Sequence, residues 1–245
     1  MTVYVERNIN MIRLDKFLSE MGLGTRSEVK KLIKTGQIAI NGTVAVKPET
    51  KVDTDADEVS VNGRIVKYQR YEYYLFNKPS GCVSATSDNV HDTVMDYITD
   101  AVHDDLFPVG RLDIDTEGLL LITNDGALSH ELLSPSKHVA KTYYACIDGE
   151  VTCDDIIRFK EGIDIGEERP TKPAELVIKK SGSVSEIELT ITEGKFHQVK
   201  RMMAAVGKPV IYLKRISMGP LTLPDNLKKG ECRPLTEEEL LRLKG

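Results

Sequence analysis

The sequence lacks the features of membrane and secreted proteins. None of its apolar runs approaches the roughly 20 residues that a membrane-spanning helix needs. The first ten residues, which include Glu6 and Arg7, contain no apolar stretch typical of a secretory signal peptide. We therefore expect a cytoplasmic protein without a membrane partner.

Paired cysteines and clustered histidines are also missing. The four cysteines (Cys82, Cys146, Cys153 and Cys232) form no C-x-x-C motif, and the five histidines are scattered along the chain. This spacing favours reduced thiols over a disulfide framework or a zinc site. We expect no bound metal.

Several cofactor and nucleophile motifs are absent. The chain has no G-x-x-x-x-G-K-[ST] phosphate loop, no G-x-G-x-x-G dinucleotide turn and no G-x-S-x-G elbow. A methyltransferase would need a glycine-rich loop after its first strand, for which residues 77–81 are a poor substitute. The segment 113–117 superficially suggests an aspartyl-phosphate enzyme, but Glu117 stands where that class needs Thr or Val. What remains is an enzyme that uses a carboxylate and no cofactor.

The net charge of −5 conceals an uneven distribution. Residues 11–47 carry seven basic and three acidic side chains, and residues 195–224 carry six basic side chains and no acidic one. Residues 88–117, by contrast, carry nine acids and one arginine. Because a polyanion meets local patches, two basic faces remain compatible with nucleic-acid binding.

The first basic segment predicts a small domain of two helices and a hairpin. Apolar residues spaced as on one helix face begin at Leu14, and Thr25 with Glu28 forms a capping box for a second helix. The pair Asn41-Gly42 predicts a hairpin turn. The second helix carries four cations on its remaining surface: Arg26, Lys30, Lys31 and Lys34. They form either a solvated face or a nucleic-acid surface, and the adjoining glycine turns favour the latter.

A larger domain follows the polar segment 48–70. Strands dominate it and helices interrupt them, so we predict an α+β fold with a mainly antiparallel sheet. Its most informative stretch is 110–126, where Arg111 and three carboxylates (Asp113, Asp115 and Glu117) precede the apolar strand Leu119–Ile122. Acids held against a buried strand suit catalysis, although spacing alone slightly favours an acidic surface loop.

The second basic segment predicts a helix from His197 to Val206. Lys200 and Arg201 lie in its first turns, where backbone amides favour anions. A solvated helix face is the alternative. Tyr143 follows Lys141 on a predicted strand, and by pattern alone it is a half-buried sheet aromatic rather than a base-stacking group.

Two sets of motifs resemble known families. Residues 11–57, with Arg13-Leu-Asp-Lys-Phe-Leu and Thr25-Arg-Ser-Glu, resemble the S4-type RNA-binding domain, which implies that Arg26, Lys30, Lys31 and Lys34 face RNA. Gly110-Arg-Leu-Asp113, Lys141-Thr-Tyr143 and Gly194-Lys-Phe-His-Gln-Val-Lys200-Arg-Met resemble the pseudouridine synthases. Across residues 11–240 the chain looks most like the ribosomal small subunit pseudouridine synthase A family. Relatives that act on large-subunit RNA tend to carry Asn-Arg where Phe196-His197 stand.

This resemblance implies roles for the site residues. Asp113 is the catalytic carboxylate, Tyr143 stacks on the target base, and Lys200 pairs with Asp113. Many relatives carry Arg at the Lys200 position, and a Lys cannot form the bidentate fork, so Arg201 could share the role. Arg111 is expected either to hold a phosphate of the flipped nucleotide or to pair with Asp115 or Glu117. The further RNA-binding candidates are Lys195, His197 and Arg201.

The predicted organisation is an extension (1–10), an S4-type domain (11–57), a linker with a connecting hairpin (58–70) and a catalytic domain (71–245). The resemblance implies that a monomeric, cofactor-free enzyme isomerises a specific uridine of 16S ribosomal RNA, or of a small-subunit assembly particle, to pseudouridine. Alternatives are the same chemistry on 23S ribosomal RNA, or a non-enzymatic S4-type ribosome-binding protein. The large domain should contain a mainly antiparallel mixed sheet flanked by helices.

Overall fold

The computed structural model describes residues 10–245, which form two compact units. One unit contains residues 10–72 together with 100–104, and the other contains residues 73–99 and 105–245. The N-terminal extension predicted for residues 1–10 lies, except for Asn10, outside the described residues.

The first unit combines two helices with short strands. Leu14, Phe17 and Leu18 of the first helix pack with Val29 and Ile33 of the second in a shared apolar core. The Thr25–Glu28 capping box predicted for the second helix is present. The elements are β1 (Met11–Arg13), α1 (Leu14–Glu20), α2 (Arg26–Lys34), β2 (Ile38–Ile40), β3 (Thr43–Val44), β4 (Lys51–Asp53), β5 (Val59–Val61) and β6 (Arg64–Val66).

Two segments owe their positions to strand pairing between residues far apart in sequence, which local sequence patterns do not predict. Strand β1, which we did not predict, pairs antiparallel with β4 about 40 residues further along the chain. The hairpin β5–β6, which we had placed in a linker, joins β2 and so forms one four-stranded sheet in the order β3-β2-β5-β6. In the structure this hairpin is therefore part of the first unit's sheet.

The second unit is built on one large mixed sheet. Among the described residues, its central strand order is β11-β12-β10-β13-β9-β7-β15, with β8 beside β9 and β14 beside β13. The elements are β7 (Tyr73–Lys78), a 3-10 helix (Val94–Tyr97), β8 (Phe107–Pro108), β9 (Glu117–Thr123), α3 (Gly126–Leu133), β10 (Lys141–Asp148), α4 (Cys153–Glu161), β11 (Glu175–Lys180), β12 (Val184–Ile191), α5 (Gln198–Ala205), β13 (Val210–Met218), β14 (Leu221–Thr222), β15 (Cys232–Pro234) and α6 (Glu237–Lys244).

The strand pairs confirm the predicted α+β class with a mainly antiparallel sheet. One central pair, β13 with β9, is parallel and joins Lys214 to Glu117 and Arg215 to Gly118. Strand β9 is buried along its whole length, as the apolar run Leu119–Ile122 predicted. This strand anchors the segment that carries the candidate carboxylates.

From the sequence alone, Asp92 is expected to cap a short helix near residue 94, and a strand is expected from Val210 to Leu213; both predictions were wrong. The helix is a 3-10 helix capped by Thr93, whose hydroxyl accepts from the Met95 amide. Strand β13 continues past Leu213 to Met218, because these residues pair with β10 and β14. Within residues 10–245, none of the helices has the length and apolarity needed to cross a membrane.

Candidate active site

Asp113 lies in the loop between β8 and β9. The Thr116 amide donates to the Asp113 carbonyl at 3.0 Å, which closes a tight turn. The Gly81 amide donates to the Ile114 carbonyl at 2.8 Å and ties this turn to the chain that follows β7. The Asp113 carboxylate thus lies on a tight turn, and the segment after β7 holds that turn in place.

A buried lysine at the end of β7 also holds the loop. Lys78 has no exposed surface, and its Nζ donates to the carbonyls of Asp113 at 3.1 Å and Thr116 at 3.0 Å. The Ile114 and Pro79 carbonyls lie at 3.3 and 3.0 Å from the same atom. Burial lowers the pKa of Lys78 because the charged ammonium loses its hydration. The carbonyl oxygens replace part of that hydration.

The role of Lys78 is not among the predictions from the sequence, because lysine is rarely fully buried. The sequence carries a weak signal for it: Lys78 ends a strand that begins with the apolar run Tyr73-Tyr-Leu-Phe, and it precedes Pro79. A lysine that continues a buried strand must find acceptors inside the protein.

Ser84 and Gly118 fix the two ends of the loop. The Ser84 hydroxyl donates to the Leu112 carbonyl and accepts from the Leu112 amide, each at 3.0 Å. Gly118 has φ of +104°, and a Cβ atom there would lie 2.2 Å from the Arg215 carbonyl oxygen. Only glycine allows β9 and β13 to approach so closely.

The Asp113 carboxylate contacts two basic side chains. Lys200 Nζ lies 3.1 Å from Asp113 Oδ2, and His197 Nε2 lies 3.3 Å from Asp113 Oδ1. Lys200 also donates to Asp115 Oδ1 at 2.5 Å. The structure therefore brings together Asp113 and Lys200, which the resemblance paired, and adds Asp115 and His197 to the cluster.

The shared lysine sets the electrostatics of this cluster. The hydrogen bond from Lys200 lowers the pKa of Asp115, against the opposing effect of burial. Burial disfavours the charge on Lys200, but the hydrogen bonds and charges of the two aspartates outweigh it and raise the pKa of Lys200. Lys200 is therefore a fixed cation beside a partly exposed carboxylate, an arrangement suited to stabilising charge that develops during a reaction.

Arg201 does not share this role. Its guanidinium lies 2.6 Å from Glu167 Oε1 and donates to the Ile165 carbonyl at 2.6 Å. Lys195 pairs with the same glutamate at 3.1 Å. Both candidate RNA-binding cations thus connect α5 and its preceding loop to the segment around Glu167, and both keep partly exposed side chains.

Tyr143 lies on the buried face of β10. In the strand register it faces Arg215 of β13, which in turn faces Gly118 of β9. Tyr143 is therefore two strands away from the end of the Asp113 loop, which corresponds to about 10 Å across a sheet. Arg215 is 2% exposed and donates from Nε to the Leu119 carbonyl at 2.8 Å, a buried cation that our sequence analysis did not identify.

Arg111 and Glu117 do not form a pair. Glu117 Oε2 accepts from the Tyr212 hydroxyl at 2.5 Å, and Glu117 Oε1 accepts from Lys229 at 2.8 Å. Burial raises the pKa of Glu117, but these two hydrogen bonds prevail and lower it. Arg111 is exposed and makes no ion pair with any residue in the described part of the chain. The expected alternative of pairing with Asp115 or Glu117 is thus not observed.

The four cations of α2 form a separate basic surface on the first unit. All four side chains are exposed, and none makes an ion pair within residues 10–245. Arg26, Lys30 and Lys34 follow one another at four-residue spacing, so they lie along one helix face. Within the same range, no group of three His, Cys, Asp or Glu side chains is placed to hold a metal ion.

Comparisons with known proteins identify the class to which this fold and site belong. The S4 domain family matches residues 12–59, and the family described as RNA pseudouridylate synthase matches residues 72–205. The chain belongs to the RNA pseudouridylate synthase family, whose members are isomerases, and it carries an S4 RNA-binding domain. Both resemblances stated from the motifs are confirmed, and the two domains indicate that the chain binds RNA.

Individual relatives cover nearly the whole chain. The chain is 37% identical over 230 residues to the ribosomal small subunit pseudouridine synthase A of Escherichia coli (strain K12), covering 94% of this chain and 98% of that protein. It is 48% identical over 231 residues to a protein of Bacillus subtilis (strain 168) named "Uncharacterized RNA pseudouridine synthase YtzG", covering 94% and 97%. A crystal structure of a pseudouridylate synthase matches with a TM-score of 0.67 and 37% identity, covering 95% of this chain and 99% of that one.

Proposed function

We propose that this protein isomerises a specific uridine of 16S ribosomal RNA to pseudouridine, with Asp113 as the catalytic residue. The observation that carries the proposal is the position of Asp113, on a turn fixed by Lys78 and between Lys200 and His197. The relatives named for the small ribosomal subunit support the choice of RNA.

The proposed reaction rearranges the atoms of the uridine and needs no external donor. The target base leaves its stack, at a cost of a few kcal/mol. Asp113 then attacks the ribose or removes a ribose proton, and the bond from C1′ to N1 breaks. The uracil rotates and its C5 bonds to C1′, which releases Asp113 from the ribose or returns the ribose proton. C5 then loses its proton and N1, freed from the ribose, gains one. Product and substrate have the same composition, so no cofactor is required.

Tyr143 and Lys200 assist this sequence in our proposal. Stacking of the uracil on Tyr143 returns about 1–3 kcal/mol of the unstacking cost, by analogy with single-strand binding. Tyr143 also helps to remove the C5 proton. Lys200, 3.1 Å from Asp113 Oδ2, balances negative charge that develops nearby.

We propose three groups of RNA contacts. The exposed cations of α2 bind the backbone, and Arg111, exposed and unpaired within the described residues, holds a phosphate beside the flipped nucleotide. His197 contacts RNA beside Asp113, and Lys195 and Arg201 contribute charge around α5. A ribosomal RNA substrate would place the protein in the cytoplasm. The monomeric state stays a prediction that light scattering would test.

The decisive experiment compares the protein with its Asp113→Asn and Asp115→Asn variants. Each is incubated with unmodified 16S RNA, with 23S RNA and with a small-subunit assembly particle, and pseudouridine is mapped by carbodiimide-dependent primer extension. We expect product on 16S RNA or its particle, no product from Asp113→Asn, and product from Asp115→Asn, the matched control because Asp115 also pairs with Lys200.

Three different results would contradict the catalytic residue, the RNA substrate and the enzymatic activity. Equal product from Asp113→Asn would refute the assignment of the catalytic residue. Product on 23S RNA alone would replace the substrate with the alternative RNA. If the wild-type protein modifies no ribosomal RNA at all, the proposed substrate class is wrong and a role in ribosome binding gains support.

A further inference from the structure

An aromatic side chain lies exposed at the edge of the proposed site. Phe196 is 73% exposed, and its ring stacks on the His197 imidazole with centroids 3.8 Å apart and an angle of 19° between the planes. His197 in turn contacts Asp113 through Nε2. A stack of two rings therefore begins at the candidate catalytic carboxylate and ends at a ring that faces solvent.

The backbone that carries this ring is fixed by side chains around it. Gln198, 4% exposed, accepts from the Lys195 amide at 2.9 Å and donates to Glu193 at 2.9 Å. The Phe196 carbonyl accepts from Arg201 at 3.1 Å. Hydrogen bonds therefore fix the loop on both sides of Phe196, so its ring is exposed although the backbone that carries it is well ordered.

The next residue keeps an unfavourable backbone conformation. His197 has φ of +48° and ψ of +35°, in the left-handed region that few residues other than glycine adopt. Strain of this kind persists where the surrounding structure enforces it, and it concentrates at functional sites. Here the conformation directs one ring toward Asp113 while the preceding ring remains open.

We propose that Phe196 stacks on the nucleobase next to the target uridine in the RNA strand. This inference rests on the proposed function. The neighbouring nucleotides are covalently joined to the reacting ribose, so they must lie beside Asp113 when it reacts. A base that loses its partner when the uridine flips out exposes a face, and an aromatic side chain is a suitable replacement.

Burial separates this role from that of Tyr143. Tyr143 is 9% exposed and lies on the buried face of the sheet, whereas Phe196 is open to solvent. We therefore assign the flipped uracil to Tyr143 and a base outside the protein to Phe196. Every base has a face that can stack, so Phe196 strengthens binding of the flipped state without selecting one neighbour by hydrogen bonds.

The first test measures kcat/KM on unmodified 16S RNA for the wild-type protein and for Phe196→Leu and Phe196→Trp. We expect the leucine variant to lose about 5- to 150-fold, the equivalent of base–aromatic stacking, and the tryptophan variant to remain close to wild type. The thermal midpoint should not change, because an exposed ring contributes little to stability. Leu241→Ala is the matched control, since Leu241 is 72% exposed on α6, and it should behave as wild type.

The second test separates stacking on RNA from an indirect effect through His197. Abasic nucleotides are placed on either side of the modified uridine, and the rate loss is measured with wild type and with Phe196→Leu. Stacking predicts that one abasic position slows the wild-type enzyme but adds nothing in the leucine variant. Fully additive losses at both positions, or a leucine variant as fast as wild type, would overturn the inference while leaving the proposed function intact. A wild-type protein without activity on ribosomal RNA would end both proposals.

Discussion

The cations of α2 and those of the proposed active site differ in how they are held. Arg26, Lys30, Lys31 and Lys34 are exposed and make no ion pair within residues 10–245. Lys200 contacts two carboxylates, and Lys78 is fully buried among backbone carbonyls. The exposed cations of α2 would attract a polyanion through their combined electrostatic field. Lys200 and Lys78 are held at fixed positions in the proposed active site, where a small displacement would alter catalysis.

The contrast is sharpest at Lys200, where we expect the largest effect. Lys200→Met should lower kcat by about 10²- to 10³-fold, the usual result of removing a group that stabilises developing charge. Lys200→Arg should recover much of that loss because it keeps the charge beside Asp113. Single-turnover rates on unmodified 16S RNA would measure both variants.

Lys30→Met on α2 is the control for Lys200, because it removes an equal charge from the exposed group. It should leave the single-turnover rate at saturating RNA close to wild type. Equal losses of kcat from the Lys200 and Lys30 variants would erase the distinction between fixed and free cations.

Lys78 tests the same distinction through stability. Lys78→Met should lower the free energy of unfolding by about 3 kcal/mol, because the buried Thr116 carbonyl loses its donor at roughly 1–3 kcal/mol and three partly buried carbonyls lose theirs at a smaller cost. Lys34→Met, at an exposed position, should change it by less than about 0.5 kcal/mol. Urea unfolding followed by circular dichroism measures both, and a Lys78 variant as stable as wild type would show that the loop does not depend on this lysine.

The ion pair between Arg233 and Glu239 predicts how the stability of the protein depends on pH. Arg233 donates to Glu239 through two hydrogen bonds of 2.7 Å, and these lower the pKa of Glu239 to about 2 against the effect of burial. A lowered carboxyl pKa stabilises the fold fully above the unfolded value near 4.5, and this contribution disappears as the pH falls toward 2. Glu239→Gln should therefore be less stable by about 1–3 kcal/mol at neutral pH, with a gap that narrows below about pH 4.5.

Glu238 is the matched control for Glu239. It lies 3.9 Å from Arg242, and its side chain is 82% exposed. Thermal unfolding of Glu238→Gln should follow the wild type across the same pH range. A gap for Glu239→Gln that stays constant with pH would show that the ion pair is not its source.

We expect the smallest effect per residue, a change in the salt dependence of RNA binding, from the exposed cations of α2. Replacing Lys30 and Lys34 by Gln should make the slope of log affinity against log salt less negative by about one per lost phosphate contact, with kcat unchanged. Filter binding of 16S RNA over a salt series measures the slope. Lys179→Gln is the control, because Lys179 already pairs with Glu188 at 3.0 Å. An unchanged slope in the double variant would remove α2 from the RNA surface.

Local patterns predicted the elements better than they predicted the site. The Thr25–Glu28 capping box and the buried strand β9 depend on residues close in sequence, and both are present. Strand β1 depends on a partner 40 residues away, and no local signal marks a three-residue strand.

The site shows the same limit. The motif resemblance paired Lys200 with Asp113, although 87 positions separate them, and the structure brings the two together. The burial of Lys78 and Arg215 was not predicted, because charged residues are expected to be exposed unless their partners are known. Their burial follows only from the strand order, which places β7 and β13 on either side of β9.

The close approach at Gly118 has a consequence for genetic screens. Any amino-acid substitution there adds a Cβ atom that collides with the Arg215 carbonyl, so the β9–β13 contact would be lost without any change in reactive groups. A library selected for inactive clones would therefore return Gly118 together with Asp113. The yield of folded protein would separate them: Asp113 variants should accumulate normally, and Gly118 variants should be degraded or aggregate.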